Sequence, residues 1–122
     1  MNNQIVWVDI PVIDLDRAIS FYSAILNGEV KKQVFEQFKF GLLPHADTNV
    51  SGCLVQSPAE HITDFGPLIY FNVEGRIDDA IEKAKSFHVE IFEEKFKMGE
   101  HGFRAVIKDT EGNRIALHSS IG

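Results

Sequence analysis

The sequence predicts an α+β fold built from two copies of one β-α-β-β-β unit. Three observations support this prediction: the order of strand-like and helical stretches occurs twice, each helix has apolar residues at helical spacing, and short sequence matches recur. The clearest match pairs DRAI at 16–19 with DDAI at 78–81. A half of about 55 residues has only a marginal core, so the halves are expected to pair, in one chain or across a dimer.

The bulk properties are typical of one globular domain. The 122 residues are expected to form a single domain, with the first module at about 4–57 and the second at about 67–119. No run approaches the roughly 18 apolar residues of a membrane span, and the first residues lack the features of a signal peptide. The single cysteine, Cys53, is compatible with the cytoplasm, and the formal net charge of −6 disfavours nucleic acid as a partner.

The first module begins with a predicted strand at 4–12, which is rich in β-branched and aromatic residues. Asp14 is placed to cap a helix with its carboxylate, and Gly28 of Asn27-Gly28 is expected to take the left-handed conformation that ends it. The apolar face of this helix consists of Leu15, Ala18, Ile19, Tyr22, Ile25 and Leu26. Strands are then expected at 29–35, 38–43 and 51–57, with a loop at 44–50.

The second module repeats this order after a connector at 58–66. A strand is expected at 67–73, followed by a helix whose apolar face consists of Ile77, Ala80, Ile81 and Ala84. The remaining strands are expected at 89–97, 102–108 and 113–119. The sequence DTEGN at 109–113 predicts a hairpin turn between the last two strands.

Three stretches carry a resemblance to a known superfamily: DIPVIDLDRAISFY at 9–22, IYFNVEGRIDDAI at 69–81 and KDTEGNRIAL at 108–117. In this order and spacing they resemble the vicinal oxygen chelate superfamily, which contains glyoxalase I, fosfomycin resistance enzymes, extradiol dioxygenases and bleomycin resistance proteins. The end of the chain is most similar to small single-domain glyoxalase-like members. The resemblance implies paired βαβββ modules that curl a mixed sheet around a cavity, and a homodimer.

The resemblance also implies where a metal ion would bind. In the fosfomycin-type pattern the ligands are two His and one Glu, and the corresponding positions here are Trp7, Leu68 and Ala116. These side chains offer no imidazole nitrogen or carboxylate oxygen, which divalent cations in such sites need. The expectation is therefore a member with no metal and no cofactor.

Strand parity predicts which polar groups lie beside these three positions. Side chains two apart on a strand share one face, so the cavity is expected to contain Asp9, Tyr70 and His118 as well. Asp9 and His118 are candidates for a proton-transfer pair if they are in hydrogen-bond contact. Each of the three also has a structural interpretation, as a solvated, packed or edge residue.

A second candidate is the glycine-flanked loop after the predicted strand at 89–97. His101 and Phe103 lie beside Gly99 and Gly102, which allow close approach to a ligand or a tight structural turn. Cys53, in an apolar strand, is expected to be a buried small residue rather than a nucleophile.

Three functional hypotheses follow. The first is a protein that binds a small aromatic or cationic molecule in the sheet cavity, as bleomycin resistance proteins do, with Trp7, Leu68, Tyr70 and Ala116 as walls. The second is a glyoxalase-like lyase or isomerase, either metal-independent through Asp9 and His118 or with a metal site that the motifs do not map. The third is a dimerisation or interaction domain with a filled pocket.

Overall fold

The computed structural model describes residues 4–46 and 49–122. Residues 47–48, within the predicted loop at 44–50, and residues 1–3 lie outside it. The first module contains β1 (Trp7–Val12), α1 (Leu15–Leu26), β2 (Lys31–Phe35), β3 (Phe38–Leu42) and β4 (Ser51–Gln56). The second contains β5 (Ile69–Asn72), α2 (Ile77–Ser86), β6 (Ile91–Lys97), β7 (Phe103–Lys108) and β8 (Arg114–Ser119). Short 3-10 helices occur at Ala59–His61 and Gly99–His101.

The two modules have the same topology, so the predicted pair of βαβββ units is confirmed. The strand orders are β1-β4-β3-β2 and β5-β8-β7-β6. In each sheet the first and last strands pair in parallel and the other neighbours pair antiparallel. The edge strands β1 and β5 are the first of each module. The curling of the sheets around a cavity stays a prediction.

Each sheet has an inner face, which packs on the helices, and an outer face. In β1 the inner residues Ile10 and Val12 are buried, whereas Trp7 and Asp9 on the outer face are exposed. In β5 the inner residue Phe71 is buried and the outer residue Tyr70 is exposed. This alternation is the period of two that side chains follow along a strand.

Helix α1 begins as predicted and ends one residue earlier than the predicted left-handed position. The carboxylate of Asp14 accepts a hydrogen bond from the backbone N–H of Arg17 at 3.1 Å. At the other end Asn27, not Gly28, takes the left-handed conformation, with φ of 52°. Asparagine tolerates this region better than most residues, so the prediction placed on Gly28 is wrong by one position.

One apolar core joins the two modules. The ring of Phe21 in α1 packs edge-on against Phe87 after α2, with ring centroids 5.3 Å apart. Tyr22 packs against Phe71 of β5 at 5.4 Å. The buried core contains residues of both helices and of both sheets. The two halves therefore share one hydrophobic cluster. No helix of the described ranges is long and apolar enough to cross a membrane.

The β7–β8 turn supplies buried polar contacts between the modules. Asp109 is buried, and one of its oxygens accepts a hydrogen bond from the Tyr22 hydroxyl of α1 at 2.5 Å. Its other oxygen accepts from the backbone N–H groups of Glu111, Gly112 and Asn113 at 2.8–2.9 Å. The turn is thus closed on itself and attached to the first helix.

Glu111 of the same turn holds the start of α1. Its Oε1 accepts hydrogen bonds from the backbone N–H groups of Ile13 at 2.9 Å and Asp14 at 2.7 Å. Arg17 donates to Glu111 through Nε at 2.7 Å and through Nη2 at 3.0 Å. A carboxylate at a helix N-terminus is favourable because unpaired N–H groups and the positive end of the helix dipole lie there. The second module therefore caps the helix of the first.

Candidate ligand-binding site

A cavity of about 610 Å³ lies where β1 and β5 face each other, and we call it the inter-module cavity. Its apolar lining residues include Ile5, Pro11, Phe65, Pro67 and Leu68, and its polar lining residues include Asp9, His61, Thr63, Tyr70 and Arg114. Small-molecule sites are commonly apolar hollows with a few convergent polar groups, and this cavity has that composition.

Three elements position the polar side chains. Asp9 lies on the outer face of β1, opposite Cys53 in the parallel pairing with β4. Tyr70 lies on β5 directly opposite Ala116 of β8. Arg114 lies two residues before Ala116 and shares its face of β8. These side chains therefore project from strands whose register is held by backbone pairing.

Among the described residues, the carboxylate of Asp9 has one weak hydrogen-bond donor. The Cys53 thiol donates to Oδ1 at 3.3 Å, and Asp9 forms no ion pair with any described residue. Burial raises the pKa of the Cys53 thiol, and the neighbouring carboxylate adds to the effect. Cys53 is buried, as predicted, and its thiol stays protonated at neutral pH.

Arg114 has an aromatic partner but no carboxylate partner. Its guanidinium lies 5.9 Å from the centroid of the Phe92 ring, and Lys108 lies 5.7 Å from the same ring. In residues 4–46 and 49–122 no carboxylate lies within ion-pair distance of Arg114, whereas Lys108 approaches Asp64 and Glu90 at 3.8 Å. The Arg114 guanidinium therefore lies within cation–π distance of the Phe92 ring, and no described carboxylate neutralises its charge.

Tyr70 belongs to a polar network on the outer face of the second sheet. Its hydroxyl oxygen accepts a short hydrogen bond from Nη1 of Arg104. Glu93 holds Arg104 with two hydrogen bonds, at 2.8 and 3.2 Å, and together with Tyr70 it raises the pKa of Arg104 above its usual range. Because the Tyr70 oxygen accepts, its own hydrogen is available to a ligand.

His118 is fixed by the backbone of the preceding loop. Its Nε2 lies 2.8 Å from the carbonyl oxygen of His101, so this nitrogen carries the proton and donates. The His118 ring meets the Tyr70 ring edge-on, with centroids 6.2 Å apart. Among the described residues, His118 and Asp9 form no hydrogen bond with each other, so the contact that their predicted proton-transfer role needs is not present.

The structure brings some of the predicted site residues together. Asp9, Leu68 and Tyr70 line the inter-module cavity, and Ala116 is buried opposite Tyr70. Trp7 lines an adjacent hollow of about 710 Å³ on the outer face of the first sheet, which also contains Asp9. We call this hollow the aromatic trough; its apolar lining is Trp7, Phe35, Phe38, Phe40 and Val55.

His101 and Phe103 lie elsewhere. Phe103 packs against the core from the inner face, and the ammonium groups of Lys95 and Lys97 lie 5.7 and 6.0 Å from its ring centroid. The exposed His101 contributes its backbone carbonyl, not its imidazole, to the network around His118. Neither residue lines the inter-module cavity, and the close approach to a ligand expected of their loop stays a prediction.

Sequence reasoning missed Arg114 and the part played by the connector. The strand parity that led from Ala116 to His118 also places Arg114 on the same face, so this residue could have been predicted. The connector also lines the cavity, with His61 at the end of the 3-10 helix and with Thr63 and Phe65 in the loop that follows. The path of such a loop cannot be predicted from a periodic pattern of residue types.

The donor set does not fit the metal site that the resemblance implies. Trp7, Leu68 and Ala116 occupy the three mapped positions, and none of these side chains can ligate a divalent cation. No group of three or more His, Cys, Asp or Glu side chains in the described parts of the chain could hold a metal ion. The residues at the three mapped positions therefore do not fit the metal ion that the resemblance implies.

A family model and several solved structures resemble the chain. The model described as Glyoxalase/Bleomycin resistance protein/Dioxygenase superfamily matches residues 4–117. The genomically encoded fosfomycin resistance protein FosX from Listeria monocytogenes is similar, with 19% identity, a TM-score of 0.70, and coverage of 98% of this chain and 94% of that chain. FosX from Mesorhizobium loti has 13% identity, a TM-score of 0.67, and coverage of 98% and 92%.

A glyoxalase/bleomycin resistance protein/dioxygenase family enzyme from Burkholderia phytofirmans PsJN has 17% identity and a TM-score of 0.68, with 93% of this chain and 96% of that chain covered. At these identities the likeness to solved structures shows the fold alone. No curated protein matches the chain significantly.

Proposed function

Because the chain belongs to the glyoxalase/bleomycin resistance protein/dioxygenase superfamily, we propose that it binds a small organic molecule in the inter-module cavity, without a metal ion. The observation that carries the proposal is the cavity itself, of about 610 Å³, whose lining is largely apolar and includes the residues Asp9, Tyr70 and Arg114. Strands and one well-packed core hold these groups, so the site is formed before the ligand arrives.

The chemistry of the mapped positions supports binding without a metal. The Listeria FosX protein was crystallised with Mn(II) and sulfate, and its fold covers 98% of this chain. Where the resemblance places metal ligands, this chain has an indole, an isobutyl group and a methyl group, at Trp7, Leu68 and Ala116. Such side chains can line an apolar ligand but cannot replace the water of a hydrated cation.

A homodimer is part of the proposal. In the aromatic trough the side chains of Phe35 and Phe38 are 67% and 57% exposed, and Trp7 is 41% exposed. Contiguous apolar patches of this kind on soluble proteins commonly mark interaction surfaces. A second copy would cover them. Sedimentation analysis of the wild type and of Phe38→Lys tests this point, because the charged variant should shift a dimer towards monomer.

The single tryptophan gives a direct assay for the proposed binding. Trp7 lies two residues from Asp9 and is the only tryptophan of the chain, so its fluorescence reports on this region alone. A library of small aromatic and polar organic compounds is screened by fluorescence and by thermal shift. Compounds that bind the inter-module cavity should lose their effect in Leu68→Arg and keep it in Val34→Arg, a matched change at an exposed position.

Two experimental outcomes would contradict this proposal and would each favour a different function. Stoichiometric binding of Mn²⁺ in calorimetry, lost in Asp9→Ala or His118→Ala, would favour a metal enzyme with ligands outside the mapped positions. A screen in which no compound stabilises the protein or changes the Trp7 fluorescence would favour an interaction domain. A catalytic role for Asp9 and His118 stays a prediction.

A further inference from the structure

We infer that residues 63–66 of the connector form a lid, whose Phe65 ring closes over the inter-module cavity when a ligand binds there. This inference rests on the proposed function, because it assigns one lining residue of the same cavity the task of retaining the ligand. It starts from a phenylalanine that belongs to the cavity lining and is nevertheless 78% exposed. We call residues 63–66 the lid segment.

The first observation is the position of the Phe65 ring. Among the described residues it is the most exposed of the large apolar side chains. The residue lines the inter-module cavity and also a neighbouring hollow of about 570 Å³ that reaches Lys108 and Gly112, so it lies at the border between the two. The ring therefore has most of its apolar area still to bury, next to a cavity that could accept it.

The second observation is how few contacts hold the lid segment. Among the described residues, none of its backbone N–H or carbonyl groups forms a hydrogen bond with a residue outside the segment. The Phe65 amide donates to the Thr63 hydroxyl within the segment, at 3.3 Å. Asp64 lies 3.8 Å from the ammonium group of Lys108, and both side chains are partly exposed. Such an ion pair contributes little stability, so the segment can move without the loss of strong contacts.

The third observation concerns the two ends of the lid segment. Gly66 has φ of 105°, which is open to glycine, and a Cβ at this position would meet no atom within 4 Å. Pro67 follows with a restricted φ. On the other side the Ile62 amide donates to the Ala59 carbonyl at 3.1 Å. The segment thus lies between a held residue and a glycine with free space around it, which is a suitable arrangement for a hinge.

A ligand in the cavity changes the energetics of closure. Burial of an exposed phenylalanine ring is favourable in proportion to the apolar area that leaves water. An empty hollow offers the ring few atoms to contact, whereas a hollow filled by an apolar ligand offers many. Binding therefore favours the closed lid, because the closed form has the additional contacts. An open lid leaves entry to the cavity free, so closure slows the departure of the ligand and not its arrival.

The first experiment places a single tryptophan on the lid segment. Trp7 is the only native tryptophan, so in the double variant Trp7→Phe, Phe65→Trp the fluorescence reports on residue 65 alone. The emission of the free protein should be that of an exposed indole. It should shift to shorter wavelength when 1-octanol, an apolar probe without absorption in this range, is added. The same protein with Leu68→Arg, which blocks the cavity, should show no shift.

The second experiment measures the kinetics of 8-anilinonaphthalene-1-sulfonate binding by stopped-flow fluorescence, using only the phase that Leu68→Arg abolishes. Phe65→Ala should raise the dissociation rate constant about ten-fold, because the buried ring is lost, and change the association rate constant by less than about two-fold. The control is Phe96→Ala, the same change at a side chain that is 52% exposed and outside the cavity lining. It should leave both constants unchanged.

The outcomes separate the lid from the proposed function. Leu68-dependent binding of a probe without the emission shift, or with an unchanged dissociation rate constant in Phe65→Ala, overturns the lid and leaves the binding function standing. If neither probe binds but a screened compound does, that compound replaces them in both experiments. A protein that binds neither the probes nor any screened compound in a Leu68-dependent manner overturns both proposals.

Discussion

Replacement of Glu111 by Gln tests the idea that the last turn of the second module caps the helix of the first. The Glu111 side chain is fully buried, and it accepts hydrogen bonds from two backbone N–H groups, from Arg17 and from Thr110. Glutamine keeps one oxygen for the two backbone groups. Its NH₂ group takes the place of Oε2 and faces Nε of Arg17 and the hydroxyl of Thr110, so these two hydrogen bonds are lost, whereas Oε1 still accepts from Nη2 of Arg17.

The expected loss of stability follows from these contacts. A hydrogen bond to a charged group contributes about 1.5–3 kcal/mol. The Arg17 side chain is 48% exposed and regains water when the bond is lost, so the two bonds together should count for about 2–3 kcal/mol and not for their full sum. The free energy of unfolding, measured by urea denaturation of the purified variant, should fall by this amount with an unchanged m-value.

The matched control is Glu82→Gln, the same chemical change at a side chain that is 74% exposed and pairs with Lys85 at 3.8 Å. It should alter the free energy of unfolding by less than about 0.5 kcal/mol. If Glu111→Gln were as mild as this control, the capping contacts would have no energetic role, and the reasoning would be refuted.

The remaining predictions concern acid, a buried hydroxyl, a close strand contact and a helix end. Burial alone would raise the pKa of Glu111, but hydrogen bonds from Arg17, the Asp14 amide and Thr110 outweigh it and lower the pKa below the usual 4.5. The stabilisation by the ionised carboxylate is therefore complete above about pH 4.5 and is lost as pH falls through the folded-state pKa. The difference in unfolding free energy between wild type and Glu111→Gln should accordingly become smaller in urea titrations below about pH 4.5. Tyr22→Phe removes the donor to the buried Asp109 carboxylate and should lower the free energy of unfolding by about 1–3 kcal/mol in the same assay. Gly52→Ala would place a Cβ 2.2 Å from the carbonyl oxygen of Val8, so we expect a loss of more than about 3 kcal/mol or of the cooperative thermal transition, whereas a normal melt would contradict the β1–β4 pairing. Glycine adopts the left-handed conformation of Asn27 without strain, so Asn27→Gly should raise the free energy of unfolding by about 0.5 kcal/mol and the melting temperature slightly. A melting temperature below that of the wild type would contradict the assigned helix end.

The order of strands and helices could be predicted from the sequence because apolar residues recur with one period in helices and with another in strands. Every predicted element is present, and most bounds differ by one or two residues. The predicted strand at 67–73 is shorter in the structure, Ile69–Asn72, because strand ends depend on a pairing partner and not on composition. The left-handed conformation at the end of α1 was predicted for Gly28 and occurs at Asn27, because both residue types can adopt positive φ.

The candidate site could be predicted only in part from the sequence. Parity along a strand predicts a face, and Trp7, Asp9 and Tyr70 do lie on outer faces. It does not predict which strands of different modules meet, so the grouping of Asp9 with Arg114 was not foreseen. Phe103 shows a second limit: Gly102, with φ of 90°, redirects the chain just before β7 and places this ring on the inner face.

The long-range polar contacts could not be predicted from the spacing of residue types along the chain. The sequence DTEGN at 109–113 predicted a turn, and the turn is present. Its acidic residues were read as loop residues, yet Asp109 and Glu111 are buried and bind partners in α1 that lie 87 and 94 positions away. Nothing periodic connects positions so distant in the chain.

The attachment of Glu111 to the start of α1 has a consequence for biosynthesis. The ribosome completes the first helix long before it adds the residue that caps it, because 94 positions separate Arg17 from Glu111. A nascent chain that has emerged only as far as β4 has the helix sequence without its carboxylate partner. The amino-terminal half must therefore wait, incompletely anchored, until the final hairpin leaves the exit tunnel.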